Sequence, residues 1–264
     1  MTAAGATTIL FLLLTVQEDR AERFFSRMKI DAPAAPTEAE KKVLAVLTAK
    51  ASWIAAFRSI EKKLAPFPDE LALEVTFGEC EGMRHAAAAG EGTRGLIRFD
   101  LAKLIDYQKA ADEIEGQRKE SERRGRKTVY RVPPGRLEST IAHELCHVLQ
   151  RSYEAPQWFL EGMAEWITGD LNSLCAFAVT HEKVEAVDAP FDDPNDSYGR
   201  GHLFWKWLEA GGVVRKAAQA AIRERRDWKE ALEGAAELEW AKLVAVERSW
   251  SDREAAKLRP KKAR

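Results

Sequence analysis

Between residues 37 and 64 the apolar side chains Val43, Leu44, Leu47, Ile54, Phe57, Ile60 and Leu64 recur at helical spacing. Thr37 fits an N-cap, with Glu40 three positions on completing a capping box. Pro66 and Pro68 end the segment. The pattern then turns to alternation. "LALEVTF" (71–77) and "GLIRFDL" (95–101) read as strands, separated by the small-residue stretch "HAAAAGEGTRG", and "KTVYRV" (127–132) reads as a third, stopped by Pro133 and Pro134. From Leu137 onward the helical period returns. One helix is predicted over 137–152 and another from Pro156 toward Thr168. A loop rich in Asp, Pro and Asn (188–197) leads into "YGRGHLFWKWLEAGG", and two more helical stretches lie within 213–258. No internal repeat is present. These elements predict an α+β fold: a small sheet with helices in a front lobe (about 31–153), a central helix, and a mostly helical back lobe (about 154–258).

The apolar run "ILFLLLTV" (9–16) is too short to span a bilayer as a helix. Its length and small-residue flank suit the h-region of a signal peptide within residues 1–30, although no Lys or Arg precedes it. Export to the cell envelope or beyond is therefore expected, with a cytoplasmic chain bearing a buried N-terminal segment as the alternative. The formal net charge is -1, so no global basic field points to nucleic acid. The basic runs at 117–127 and at the C-terminus read as a solvated loop and a frayed tail. Three cysteines without CxxC spacing indicate neither a disulfide framework nor a cysteine zinc site. A single Cys80–Cys175 bridge stays open for an exported chain, while Cys146 reads as a small buried hydrophobe.

Candidate chemistry sits in "IAHELCHVLQ" (141–150), which carries two of the chain's five histidines. Residues four apart share a helix face, so His143 and His147 can address one atom. Glu144 lies about 100° round the helix from His143. It can overhang a metal-activated water without ligating the metal, and act as a general base. Leu145 and Leu149 would face the core. A catalytic zinc site needs a third protein ligand and an open position. "QWFLEGMAEW" (157–166) offers Glu161 for that place, with Glu165 one turn later to accept from a ligand's other ring nitrogen.

"HELCH" followed by "WFLEGMAEW" resembles the gluzincin zinc metallopeptidases, the superfamily of thermolysin, and is similar to its smaller peptidases of the MA-like type. The resemblance is specific over about 137–170, moderate over 197–210 and almost absent before 130. It implies a zincin-like domain over 31–264 with one zinc ion held by His143, His147 and Glu161. It also makes Glu144 the general base and gives Glu165 the place of an acidic residue supporting the ligands. "SYGRGHLFWKWLEA" is similar to the segment whose tyrosine donates to the developing oxyanion, which implies that role for Tyr198. His202, one turn later, is the alternative donor. No aminopeptidase-type Gly-x-Met-Glu-Asn segment is present, so the resemblance favours an endopeptidase.

The implied partner is a peptide or protein substrate, held extended, with strand 95–101 the edge it would pair against. No nucleic acid and no stable membrane span are expected. Arg200 reads as a solvated arginine or an anchor for a substrate carboxylate, His85 and His181 as surface residues, and Trp205, Trp207 and Leu208 as core. Cys146 as a fourth ligand would block the water position. Two rivals carry over: a zincin-fold binding or scaffold protein without turnover, and a zinc hydrolase acting on a non-peptide amide.

Overall fold

The structure, a computed structural model, describes residues 20–82, 85–91, 93–124, 135–191 and 193–259. The apolar run 9–16 and the predicted strand 127–132 lie outside these residues. The fold is mixed α+β: a four-stranded sheet in the first half of the chain, and helices before and after it.

Helical residues 20–26 and strand β1 (Lys29–Ile30) lead to α1 (Glu38–Leu47) and α2 (Lys50–Lys63). Thr37 caps α1: its Oγ1 accepts from Glu40 N at 3.3 Å, and Glu40 Oε2 accepts from Thr37 N at 2.7 Å. The segment expected as one helix is thus two, divided at Thr48 and Ala49. There the Trp53 indole donates to Leu47 O at 2.7 Å, satisfying a carbonyl that the break leaves behind.

The sheet contains β2 (Ala72–Phe77), β3 (Ala86–Glu91) and β4 (Arg94–Phe99) in the order β1-β2-β4-β3. β1 and β4 run parallel to β2, and β3 folds back antiparallel onto β4. Two expectations change here. The small-residue stretch after residue 85 is itself a strand, because alanines pair with β4 as backbone although they carry no alternation to read. As a consequence β4 lies inside the sheet, and the exposed edge belongs to β3.

α3 (Leu101–Arg123) follows, capped by Asp100, whose Oδ1 accepts from Lys103 N at 3.1 Å. Much of the basic run read as a loop is therefore helix. Its charges are interleaved at three- and four-residue spacing, as in the Glu115–Arg118 and Glu120–Arg124 pairs, which support an exposed helix.

The central helix α4 (Leu137–Gln150) lies against α2, β3 and β4. Gly95 of β4 is the close approach: a Cβ there would stand 2.7 Å from Val148 Cγ1. Leu145 is fully buried and Leu149 nearly so, as their helical positions require. α5 (Gln157–Thr168) follows a short turn and ends at Gly169, which adopts a left-handed φ of 67°. α6 (Asn172–Thr180) and α7 (Asp196–Ala210) complete the wall of the site. α5 and α7 cross at two glycines, since a Cβ on Gly162 would meet the Gly201 carbonyl carbon at 2.3 Å. Trp205 and Leu208 are buried in the core and Trp207 packs against it. α8 (Val214–Ala218) passes into a π-helical turn (Gln219–Arg223), and α9 (Trp228–Ala236) and α10 (Trp240–Leu258) close the chain. Among the described residues no single helix is long and apolar enough to cross a membrane.

Candidate metal centre

α4 and α5 bring three ligand atoms into a triangle. His143 Nε2 and His147 Nε2 are 3.0 Å apart, and Glu161 Oε2 lies 3.2 Å from the first and 3.1 Å from the second. The two histidines reach it from consecutive turns of α4, and Glu161 from the first half of α5.

What the other ring nitrogens do fixes the chemistry of this triangle. His143 Nδ1 lies 3.2 Å from Glu165 Oε1, and His147 Nδ1 lies 2.6 Å from Gln150 Oε1. Both partners are oxygen acceptors, so the proton of each neutral imidazole belongs on Nδ1 and the lone pair on Nε2. Gln150 is oriented by its own Nε2, which donates to Leu160 O at 2.9 Å. Glu165 is held by Ser173 Oγ, which donates to its Oε2 at 2.6 Å. With both imidazoles neutral, two lone pairs and a carboxylate oxygen converge where nothing donates to them, an arrangement that either a proton or a metal ion resolves. A tetrahedral site with ligand bonds of about 2.0–2.1 Å has edges of about 3.3 Å, close to the triangle observed. His143, His147 and Glu161 are together able to hold a metal ion.

The charges agree with this design. Burial works against a charged His143, yet Glu161 and Glu165 outweigh it and hold the imidazole well above its ordinary range. Burial likewise works against an ionised Glu161, and the two histidines overcome it, keeping that carboxyl well below the usual carboxylate range. Glu165 is also lowered, against burial, by His143 and Ser173. Without a metal the cluster therefore holds together as carboxylates around an imidazolium. With one, the cation takes the proton's place.

Glu144 is buried on α4 and lines the same cleft as the triangle, a cavity of about 960 Å³ bounded by β3, α4, α5, α6 and the start of α7. Tyr198 also lines it, half-buried, with its ring 6.1 Å from that of His143 and inclined by only 13°. His202 stands apart from this wall. It is buried and absent from the cleft lining, its Nδ1 finds no partner among the described residues, and burial pushes its imidazole down to about 4. The alternative donor that the sequence offered therefore does not face the cleft.

Cys146 points into the core with its thiol pushed up by burial, and takes no part in the triangle. All three cysteines are buried and free, so Cys80 and Cys175 form no bridge. Arg200, expected in solvent or on substrate, is buried against Glu247, with Nη1–Oε1 at 2.8 Å and Nη2–Oε2 at 2.6 Å. His181 is half-exposed and pairs with Asp196 at 3.1 Å, and His85 lies exposed at the cleft rim.

Two contributors escaped the sequence reading. Gln150 was legible in principle, because it sits three positions after His147 on the same helix face. Ser173 was not, since only the packing of α6 brings it to Glu165. Compared with known protein families, curated proteins and solved structures, the chain matches none.

Proposed function

We propose that this chain is a zinc metallopeptidase of the gluzincin type, with a thermolysin-like arrangement of its active site. The observation that carries the reading is the convergence of His143 Nε2, His147 Nε2 and Glu161 Oε2, each imidazole held through Nδ1, beside the buried carboxylate of Glu144 in one open cleft. Two histidines and one glutamate with room beside them suit zinc in a catalytic rather than a structural role.

A zinc ion in this place supplies Lewis acidity, lowering the pKa of a water and polarising the scissile carbonyl. Glu144 takes the proton from the attacking water and passes it to the departing amine. Tyr198 donates from its phenol to the carbonyl oxygen as negative charge gathers there. The substrate lies extended against β3, the edge strand of the sheet, whose Ala86, Ala87 and Ala88 line the cleft. The small side chains leave its backbone groups accessible to a peptide.

Zinc content and hydrolysis of a peptide library, for wild type beside Glu144→Gln, test the proposal. About one zinc per chain is expected in both, with turnover in wild type alone. A Glu144→Gln protein that cleaves at the wild-type rate removes Glu144 as base, and a His143→Ala, His147→Ala protein that keeps full zinc removes the site. Tyr198→Phe should lose about 100- to 1,000-fold in turnover, as the loss of one oxyanion donor does, with zinc retained.

A further inference from the structure

One end of the cleft carries Arg151, a cation that forms no ion pair among the described residues. Arg151 follows the last residue of α4 and lines the cleft. Its Nη1 is shielded from solvent and has no hydrogen-bond partner among the described residues, and no carboxylate there pairs with it. Burial lowers the pKa of its guanidinium, and the charge of a second cation, Arg225, lowers it further. Arg225 lies on the turn before α9 with its guanidinium carbon 6.0 Å from the centre of the Tyr153 ring. It too has no ion-pair partner among the described residues. Asp227 on the same turn caps α9, its Oδ1 accepting from Lys229 N at 2.9 Å and Glu230 N at 3.2 Å.

The backbone holds this arrangement against its own preference. Arg225 adopts φ 57° and Ser152, next to Arg151, φ 53°, a left-handed conformation uncommon outside glycine. Tyr153 Oη donates to Arg226 O at 2.8 Å, fastening the turn to the cleft. Arg151, with its shielded donor, and Tyr153 both line this end of the cleft, and Arg225 stands over the Tyr153 ring. A cation at a helix C-terminus could be explained by the helix dipole alone. That explanation does not account for the unsatisfied Nη1.

We infer that Arg151, supported by Arg225, is a specificity determinant that receives a carboxylate of the substrate, so that the cleft prefers peptides with an acidic group near the scissile bond. The inference rests on the peptidase reading for its substrate and on the chain's own residues for its chemistry. Planar guanidinium matches carboxylate by paired hydrogen bonds. Its position sets the spacing. Arg151 stands one helical turn beyond His147, about 6 Å along the axis, and an extended peptide rises about 3.3 Å per residue. Beside it runs β3, where a Cβ on Gly90 would meet Arg151 Cδ at 3.1 Å. A peptide against that edge thus brings a residue about two positions from the scissile bond to the guanidinium. The carboxylate can come from an Asp or Glu side chain or from the chain's own C-terminus.

The test is fluorescence anisotropy of labelled peptides bound to the full chain carrying Glu144→Gln, loaded with zinc, alongside cleavage of the same peptides by wild type. One pair differs by Glu against Gln within a C-terminally amidated peptide, and a second by free carboxylate against amide at the end of a neutral one. At least one acidic member should bind about tenfold or more tightly than its neutral twin, as hydrogen bonds to a charged group imply. Which pair responds identifies the source of the carboxylate. Arg151→Gln should bring that ratio to near one while Arg151→Lys keeps part of it, and Arg225→Gln should lower it less. Melting temperature and zinc content check that each variant is folded. Equal affinity within both pairs, or a ratio that survives Arg151→Gln, overturns the inference even if wild type cleaves every peptide. Acidic preference in binding with no cleavage supports the carboxylate site and removes the peptidase reading.

Discussion

His143 and His147 were legible as a pair because helical spacing alone puts them on one face, and the triangle brings both within one atom's reach with Glu161. Tyr198 and His202 show where that legibility stops. The two are one turn apart in sequence, yet only Tyr198 lines the cleft, because α7 turns His202 toward the Glu165 side of the core. That burial has a measurable consequence. The folded imidazole titrates near 4 while an unfolded histidine titrates near 6.5. A depressed folded value means that the unfolded chain binds the proton first, so stability present above about pH 6.5 is lost as pH falls toward the folded value. Between pH 7 and pH 5 this amounts to about 2 kcal/mol. Replacing His202 with Leu should flatten the fall in urea stability over that interval. An unchanged pH dependence would place the acid sensitivity elsewhere.

Among the elements, those with strong periodicity were read well and those made of small or charged residues were not. β2 and β4 alternate, and α4 and α5 carry clear apolar faces. β3 is largely alanine, and α3 is so polar that only its i,i+3 and i,i+4 ion pairs mark it as helix. Missing β3 also put β4 at the edge of the sheet, a place that belongs to β3. Arg200 is the same lesson in α7: nothing in the sequence tells that Glu247, on α10, lies opposite it. This ion pair is almost fully shielded, and Ser251 Oγ donates to Glu247 Oε1 at 2.5 Å. Removing one partner leaves a buried charge alone, so Glu247→Ala should cost about 3–5 kcal/mol in denaturant unfolding. A loss below 1 kcal/mol would mean that α10 separates from α7 without consequence. At the α5–α7 crossing, Gly162→Ala should also destabilise, since the added Cβ meets backbone that cannot give way.

Across the whole molecule, the site joins the sheet side to the helical side, parts that packing and a few hydrogen bonds also hold together. α4 rests on the sheet through Gly95 and Val148, while α5 is locked to α7 through Gly162 and Gly201. The candidate ligands divide along that line, two from α4 and one from α5, so a bound metal ion would cross-link the sheet side to the helical side. Anything that binds the folded chain and not the unfolded one stabilises it, by about 4 kcal/mol when the free ligand is 1,000-fold above its Kd. For a chain of this size that corresponds to a rise in Tm of roughly 10 °C. Chelation should remove the increment and zinc should restore it. The increment should also shrink as pH is lowered, because both imidazoles must be unprotonated at Nε2 to bind the metal. Gln150→Ala, which takes away the acceptor at His147 Nδ1, should weaken zinc binding by about 10- to 100-fold and reduce the increment at limiting zinc. The check is calorimetry of wild type and Gln150→Ala at matched zinc concentrations. If the two melt together at every concentration, His147 does not depend on Gln150 for its orientation.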